Sequence, residues 1–254
     1  MTEPVLLASQ PTLAAQSLAN QRVLITGAAG GLGSELAIQA ASAGAEVILL
    51  DKDLPALEAL HDRIETALGQ QPGLYPLDLM GASPDDYLEL AERLEHSLGG
   101  LDVLVHGAAQ VGKPAPLQLY DPQTWLETLH INVNAAFLLT QAMLGLLRHS
   151  AGRIIFMSDR CGREGQSAMG AYAVSKWAVE GLMHTLAAEY STHHPVSTCS
   201  VDTGPMRTAL RRAAYAGEMA DEVPDPEHAA SAVVRLLNRQ DKLDNGASYR
   251  VSIT

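Results

Sequence analysis

Short apolar runs alternate with longer helix-like stretches along nearly the whole chain. The short runs are almost continuously apolar, as strands buried on both faces of a parallel sheet are. They predict seven strands: Val23–Thr26, Glu46–Leu50, Leu74–Leu77, Val103–His106, Arg153–Ser158, Val196–Val201 and Ser248–Ile253. The longer stretches predict six helices: Gly33–Ser42, Ala56–Leu68, Pro84–Leu98, Pro122–Leu147, Met169–Tyr190 and Pro226–Leu237. This alternation predicts an α/β fold in which a doubly wound parallel sheet lies between two helical layers, giving three layers, α/β/α.

The length of 254 residues is that of one compact α/β domain, and we expect residues 21–254 to form it. Residues 1–20 precede the first predicted strand and are expected to form a loosely held arm or an extension that contacts a partner. Their apolar stretch Val5–Ala8 has no basic flank before it, so it does not resemble a signal peptide. No uncharged apolar run has the length expected of a membrane span.

The balance of charges limits the partners that we expect. Lys and Arg number 17 against 29 Asp and Glu, which gives a net charge of −12. Nucleic acids and anionic membranes bind basic surfaces, so neither partner is expected. The two cysteines, Cys161 and Cys199, are too few for a disulfide framework and do not have the spacing of a zinc site, so no metal site is predicted. The expected location is a reducing cytoplasm.

A glycine-rich turn follows the first predicted strand and leads into a helix, with the sequence Thr26-Gly27-Ala28-Ala29-Gly30-Gly31-Leu32-Gly33. Glycines let the backbone turn tightly and approach a pyrophosphate, and the helix N-terminus supplies N–H donors. A merely tight turn between strand and helix is the alternative. The context favours a dinucleotide site in a Rossmann-type domain, with five residues of the turn against the cofactor: Gly27, Ala29, Gly31, Leu32 and Gly33.

Two acidic residues follow the next two predicted strands. A carboxylate at Asp51 can accept hydrogen bonds from the ribose hydroxyls of adenosine and would repel a 2′-phosphate, so NAD is favoured over NADP. An N-cap for the following helix is the alternative role of Asp51, and both roles can coexist. Asp78, followed by Leu79, either contacts the edge of the adenine or caps a turn. The sequence leaves both of these roles of Asp78 open.

Tyr172 and Lys176 stand four residues apart at the start of a predicted helix, so both lie on one helix face. The nearby ammonium group and the helix N-terminus are expected to lower the pKa of the Tyr172 hydroxyl towards working pH. Such a tyrosine can exchange a proton with an alcohol oxygen while a hydride moves to a nicotinamide.

Together these motifs resemble the short-chain dehydrogenase/reductase family over Gln21–Thr254. The turn Thr26–Gly33 is similar to the family's T-G-x-x-x-G-x-G loop, and Tyr172 with Lys176 is similar to its Y-x-x-x-K pair. The resemblance implies an NAD-dependent oxidoreductase that interconverts an alcohol and a carbonyl of a small molecule. It implies that Tyr172 is the acid/base, and that Lys176 lowers its pKa and holds the nicotinamide ribose. It also implies a homodimer or homotetramer.

Further positions match the family residue by residue. Asn132 matches the helical asparagine of the family's catalytic tetrad, which implies that it holds a water in the proton relay. Thr208 matches the threonine that contacts the nicotinamide amide, and Gly107 lies in a cofactor loop after the fourth predicted strand. The substrate pocket is expected between the fifth predicted strand and a substrate loop at about residues 203–223.

The sequence departs from the family pattern in three places near the expected cofactor and substrate. The family's catalytic serine lies thirteen residues before the tyrosine, where this sequence has Asp159. The family's Asn-Asn-Ala-Gly reads His106-Gly107-Ala108-Ala109 here, and its Asn-Pro-Gly reads Asp202-Thr203-Gly204.

The first departure decides between two functions. An ionised carboxylate at Asp159 cannot donate a hydrogen bond to a carbonyl, and at ~4 Å it opposes a developing negative charge by about 4 kcal/mol. Asp159 therefore either stays protonated through burial, or accepts a bond from a cation or hydroxyl on the substrate, which it orients. The leading hypothesis is an active oxidoreductase. The alternative is a dinucleotide-binding homologue with impaired or lost catalysis, which acts by binding or assembly.

Overall fold

A single parallel sheet forms the centre of the structure, a computed structural model that describes residues 3–7, 13–190, 196–239, 241 and 243–252. Within these residues the sheet has eight strands: β1 (Val5–Leu7), β2 (Arg22–Thr26), β3 (Glu46–Asp51), β4 (Gly73–Pro76), β5 (Val103–His106), β6 (Arg153–Ser158), β7 (Ser197–Asp202) and β8 (Ala247–Val251). Their order in space is β1-β8-β7-β6-β5-β2-β3-β4, with every pair parallel. The predicted doubly wound α/β fold is confirmed.

Helices cover both faces of the sheet: α1 (Gly31–Ser42), α2 (Leu54–Leu68), α3 (Pro84–Leu98), α4 (Pro122–Leu129), α5 (Ala135–Ser150), α6 (Gly170–Glu189), α7 (Ala209–Ala214) and α8 (Pro226–Val233). Successive side chains of a strand point to opposite faces. Val23 and Ile25 of β2 therefore pack in one core with α1, α2 and α8, whereas Leu24 packs in the other with α3, α5 and α6.

Local capping explains where α2 begins and where both α2 and α3 end. The Asp53 side chain accepts a hydrogen bond from Ala56 N at the start of α2, which satisfies one of the unpaired N–H groups of the first turn. Both helices end at glycines, Gly69 and Gly99, with φ of 69° and 71°. Glycine adopts this left-handed conformation without the steric cost of a Cβ.

The stretch Pro122–Leu147, predicted as one helix, is interrupted in the structure. Residues His130–Asn134 form a π-helical segment that joins α4 to α5. Such segments insert one residue into the helical repeat and turn side chains by an angle that a regular helix does not allow. A second difference is α7, which lies within the predicted substrate loop and is too short to show a helical period.

The structure corrects the expectation of a loosely held N-terminal arm. Val5–Leu7 pairs in register with Tyr249–Val251 and forms an edge strand of the sheet. Leu18 is fully buried in the core beside α1. A run of three residues is too short to show strand periodicity, which is why the sequence did not predict β1. The last predicted strand ends earlier than expected, at Val251, and Ile253 lies outside the described residues.

The helical stretch Pro122–Ser150, which comprises α4, the π-helical segment and α5, is long and apolar enough to cross a membrane by length and composition alone. Core helices of folded domains pass the same test, and 33% of the apolar window is buried inside this fold. The helix packs against α3 and α6. The absence of a membrane partner stays a prediction.

His106 ends β5 as a buried core residue. Its Nε2 lies 2.8 Å from Thr140 Oγ1, and its ring stacks on Phe156 with centroids 4.8 Å apart. Burial lowers the pKa of His106 to about 3. The imidazole is therefore neutral in the folded protein above that pH.

This pKa predicts a defined acid sensitivity. The folded-state pKa lies below the ordinary value of about 6.5, so the unfolded state binds the proton first as the pH falls, and stability is lost below about pH 6.5. The free energy of unfolding should rise with pH between about pH 4 and 6 in the parent protein. We expect this slope to be smaller in His106→Gln by ~1.4 kcal/mol per pH unit, which corresponds to one proton. Urea unfolding measures this slope. The exposed residue His149 supplies the control variant His149→Gln, and equal slopes for His106→Gln and the parent would contradict the prediction.

Candidate active site

A cleft of about 360 Å³ opens at the carboxyl ends of the strands, beside β2 and β5. Here the strand order reverses, because the chain builds β3 and β4 on one side of β2 and β5 to β8 on the other. Ligands of doubly wound sheets bind at such points. The cleft is lined by every residue that the sequence predicted for the site except Ala29 and Asn132: Gly27, Gly31, Leu32, Gly33, Asp51, Asp78, Leu79, Gly107, Asp159, Tyr172, Lys176 and Thr208.

Two glycines of the turn, Gly27 and Gly33, have no room for a side chain. Gly27 has φ of 69°, and a Cβ there would lie 2.8 Å from Ala108 Cα. A Cβ on Gly33 would lie 2.2 Å from Gly27 O. Helix α1 begins at Gly31, and no side chain caps it at Gly30. Its first N–H groups are thus left for an anionic ligand, so this turn fits the pyrophosphate of a dinucleotide.

The carboxylate of Asp51 supports the glycine turn. Its Oδ2 accepts a hydrogen bond from Ala29 N at 3.1 Å, and its Oδ1 accepts one from Asp53 N at 3.2 Å. The N-cap of α2 is Asp53, so the alternative role of Asp51 as that cap is wrong. Asp51 remains at the cleft wall, where it can meet the ribose of a bound adenosine.

Asp78 caps a turn, which is one of the two roles predicted for it. Its exposed side chain accepts a hydrogen bond from Met80 N at 3.0 Å. Asp78 and Leu79 also line the cleft, so a contact with an adenine stays a prediction.

Tyr172 and Lys176 lie one turn apart on α6, both buried against the sheet. Lys176 Nζ donates a hydrogen bond to Met157 O at 2.6 Å and lies 5.4 Å from the centre of the Tyr172 ring. Tyr172 Oη donates to Asp159 Oδ2 at 3.1 Å. Three of the four predicted catalytic side chains therefore meet at one end of the cleft.

The pKa of Tyr172 moves in the direction opposite to the sequence expectation. Burial, followed by the negative charge of Asp159, raises the pKa of Tyr172 well above its ordinary value. Burial also lowers the pKa of Lys176, which weakens its hold on a positive charge, although Asp159 opposes that shift. The motif spacing correctly placed an ammonium near the tyrosine, but the spacing contains no information about desolvation.

Asp159 begins the turn after β6. Its Oδ1 accepts a hydrogen bond from Cys161 N at 2.9 Å, which caps a short 3-10 turn over Arg160–Gly162. Cys161 is buried, and burial raises the pKa of its thiol, so this cysteine is not an activated nucleophile.

Asn132 lies in the π-helical segment between α4 and α5 and is buried. Its Oδ1 accepts a bond from Gln110 N at 2.8 Å, and its Nδ2 donates to Gln110 O at 2.9 Å and to Ser175 Oγ at 2.9 Å. The side chain thus connects the loop after β5 with α6. The side-chain amide of Asn132 is already hydrogen-bonded to these protein groups. A water held by Asn132 stays a prediction.

Two of the unusual sequence positions have local structural roles. A Cβ at Gly107 would lie 2.6 Å from Thr26 O, so the strand end admits only glycine without rearrangement. Asp202 accepts hydrogen bonds from Gly204 N at 3.0 Å and from Arg250 Nε at 2.8 Å. Each change therefore fits the backbone around it.

The predicted substrate loop reaches back to the glycine turn through Thr208. Its Oγ1 accepts a hydrogen bond from Arg211 N at 3.1 Å and caps α7. Its methyl group is so close to Gly31 that a Cβ there would lie 2.9 Å from Thr208 Cγ2. The sequence did not single out several other lining residues, which the strand-end rule for doubly wound sheets would have found: Leu50, Gln110, Met157, Met206 and Leu210.

A buried ion pair behind the site is the largest feature that the sequence did not predict. Glu180 accepts hydrogen bonds from Arg163 Nε at 3.0 Å, Ser200 Oγ at 2.8 Å and Ser248 Oγ at 2.9 Å. Arg163 also donates to Tyr249 O at 3.2 Å. Although burial raises the pKa of Glu180, the serine hydroxyls and the Arg163 charge bring it below its ordinary value.

Comparisons with known proteins identify the family of this chain. The sequence model described as short chain dehydrogenase matches residues 21–219. The chain belongs to the short-chain dehydrogenase family. It is 36% identical to the uncharacterized oxidoreductase YciK of Escherichia coli K12, over 92% of this chain and 93% of YciK.

Solved structures of similar chains support the family assignment. A chain from Pseudomonas syringae has a TM-score of 0.92 and 37% identity, covering 95% of this chain and 98% of that one. A Shigella flexneri chain solved in complex with NADP has a TM-score of 0.90 and 34% identity, covering 93% of this chain and 99% of that one.

The ion pair behind the site predicts a large loss of stability in a single variant. Glu180→Gln leaves the Arg163 guanidinium buried without a counter-charge, and such losses are about 3–5 kcal/mol. We expect urea unfolding to show a fall of that order. The control is Glu89→Gln, whose partner Arg93 is exposed on α3, and which should change stability by less than about 1 kcal/mol. Similar small losses in both variants would contradict the assignment.

Proposed function

We propose that this short-chain dehydrogenase interconverts an alcohol and a carbonyl of a small molecule with a nicotinamide dinucleotide. One observation carries the proposal: the glycine turn and the Tyr172–Lys176 pair line the same cleft. A dinucleotide with its pyrophosphate at the N-terminus of α1 can extend along this cleft towards α6. When bound, the nicotinamide supplies or takes up the hydride.

The residues of α6 move the proton in this proposal. Tyr172 Oη gives a proton to the carbonyl oxygen during reduction and takes it back during oxidation. Lys176 stabilises the tyrosinate from beneath the ring and holds the nicotinamide ribose. A cavity of about 10 Å³ beside Asn132 and Lys176 is the size of one water, which supports a proton relay to Asn132.

We propose NAD rather than NADP as the cofactor. Asp51 places a carboxylate at the end of β3, where it would accept bonds from ribose hydroxyls and repel a 2′-phosphate. The exposed side chain of Lys52 lines the same part of the cleft, but Asp53 follows it and offsets its charge. The Shigella flexneri relative was solved in complex with NADP, which favours the opposite preference.

The variant Asp51→Asn tests this preference. The amide oxygen can still accept the bond from Ala29 N, while the charge that repels a 2′-phosphate is removed. We expect the ratio of NAD to NADP affinity, measured by calorimetric or thermal-shift titration, to fall about tenfold, or ~1.4 kcal/mol. The control is Asp62→Asn, an exposed carboxylate of α2 that does not line the cleft, and it should leave the ratio of the two affinities unchanged. Tighter binding of NADP by the parent protein would refute the proposal.

A second function is favoured by the bond between Asp159 and Tyr172. We propose that Asp159 takes the place of the family's catalytic serine. Its charge raises the pKa of Tyr172 and opposes the negative charge that develops on the reacting oxygen. A protein that binds the dinucleotide but acts by binding or assembly, with impaired catalysis, is therefore the second candidate. If Asp159 instead orients the substrate, the same bond is compatible with the first candidate, the active oxidoreductase.

The variant Asp159→Ser separates the two candidates. If Asp159 serves the reaction, the variant loses activity on substrates that the parent oxidises, and a large gain on simple ketones instead favours the second candidate.

Asp159→Asn removes the charge that raises the Tyr172 pKa, so the rising limb of kcat/KM for alcohol oxidation should move to lower pH. Absorbance of the reduced nicotinamide across pH measures both effects. Tyr172→Phe is the control and should abolish turnover, and an unmoved pH profile in Asp159→Asn would contradict the role of its charge.

Assembly and location complete the proposal. Exposed apolar side chains lie on the outer faces of α5 and α6, where Phe137 is 46% and Trp177 44% exposed. Such side chains suit a homodimer or homotetramer formed through these helices, as the family resemblance implies. We propose a cytoplasmic location on the basis of the two free cysteines.

A further inference from the structure

The carboxylate of Asp159 has unused capacity to accept hydrogen bonds. Its Oδ1 accepts one bond, from Cys161 N at 2.9 Å, and its Oδ2 accepts one, from Tyr172 Oη at 3.1 Å. An ionised carboxylate has about four acceptor positions, so these bonds leave capacity for more. Asp159 lines both the dinucleotide cleft and an adjoining cavity of about 520 Å³. A substrate that reaches Tyr172 therefore also reaches Asp159.

The negative charge of Asp159 has no ion-pair partner among the residues that the structure describes. The four cations around it are each bonded elsewhere: Arg160 to Glu164, Arg211 to Glu218, Arg250 to Asp202, and Lys176 to the carbonyl oxygen of Met157. Two donors already face this carboxylate, and the charges of Lys176 and Arg211 act on it without a direct ion pair. A cation supplied by the substrate would add a direct ion pair at the acceptor positions that remain.

The distance between Tyr172 and Asp159 limits where that cation lies on the substrate. The reacting oxygen must lie within hydrogen-bond distance of Tyr172 Oη, and the cation within hydrogen-bond distance of a carboxylate that the same Oη already contacts. Because Tyr172 Oη and Asp159 Oδ2 are 3.1 Å apart, two substrate groups held in this way need be no farther apart than substituents on neighbouring carbons. Neighbouring carbons give the most compact substrate that satisfies both side chains.

We propose that the substrate carries a protonated amine on the carbon next to the reacting one. The substrate class is thus a vicinal amino alcohol, or in the reverse direction an α-amino ketone. In oxidation the carbinol C–H bond breaks and its hydride passes to the oxidised nicotinamide, while the O–H proton passes to Tyr172 as the carbonyl forms. The ammonium is unchanged and remains bonded to Asp159. This inference rests on the proposed alcohol–carbonyl function.

The ammonium also relieves a conflict within the site. Asp159 raises the pKa of Tyr172 and so disfavours the tyrosinate that oxidation requires. A positive charge beside Asp159 offsets this effect. The substrate would thereby contribute to the deprotonation of the residue that takes up its own proton.

Three compounds with the same ring and reacting carbinol test the proposal: 2-amino-1-phenylethanol, 1-phenyl-1,2-ethanediol and 1-phenylpropan-1-ol. They place an ammonium, a hydroxyl or a methyl group at one position. Calorimetric titration into the full-length protein, with and without NAD, measures their binding at neutral pH. We expect the amine to bind at least tenfold more tightly than the other two, because only its ammonium brings a positive charge to Asp159.

Two variants assign the preference to its residue. Asp159→Asn should bring the three affinities together, because the amide has no charge to attract the ammonium. Glu189→Gln removes an exposed carboxylate at the end of α6 that lines neither cavity, and it should leave the order of affinities unchanged. Equal affinities in the parent, tighter binding of the diol, or an amine preference that survives in Asp159→Asn would each overturn the inference.

Reduced-nicotinamide absorbance with the same compounds separates this inference from the function on which it rests. Oxidation of the amine ahead of the other two supports both. Tight, Asp159-dependent binding of the amine without oxidation of any compound supports the amine site and contradicts the alcohol–carbonyl function. Equal oxidation of all three supports that function and overturns the amine requirement.

Discussion

The cleft depends on the close contact between the ends of β2 and β5, where the order of strands reverses. Thr26 Oγ1 accepts hydrogen bonds from Gly107 N and Ala108 N, both at 3.1 Å, which binds one strand end to the other. Gly27 then turns so close to Ala108 that any side chain would collide with the backbone. Because the turn is this tight, α1 starts at the edge of the cleft and directs its N–H groups into it. The glycines are thus a condition of the fold as well as of ligand binding.

Helix α6 brings the proposed catalytic chemistry to the same cleft. Tyr172, Lys176 and Glu180 follow one another at intervals of four residues, so a single helix face is presented to the sheet. Burial of these polar side chains is unfavourable unless each is bonded. Asp159, Met157 and Arg163 respectively supply those bonds. All three partners lie on β6 or the turn after it, so the helix and this segment hold each other in position.

Under the proposed function, the charge of Asp159 would disfavour ordinary ketone reduction. A serine hydroxyl can donate a bond to a carbonyl, whereas an ionised carboxylate only accepts. At the same time the carboxylate is well held, through bonds from Cys161 N and Tyr172 Oη. A held acceptor next to the proposed proton donor is suited to a substrate with a positive group beside its reacting carbon. The same charge that slows one substrate class can therefore select another.

Local sequence patterns determined the layered α/β fold, the glycine turn and the placement of Tyr172 and Lys176 on one helix face. These features depend on residues close together in the chain, and so their periodicity and spacing are visible in the sequence. Only the tertiary structure decided the pKa direction of Tyr172, the pairing of Arg163 with Glu180 and the edge strand Val5–Leu7. Each of these depends on burial or on partners distant in the chain, and desolvation outweighs a neighbouring charge only once the surrounding residues have excluded water.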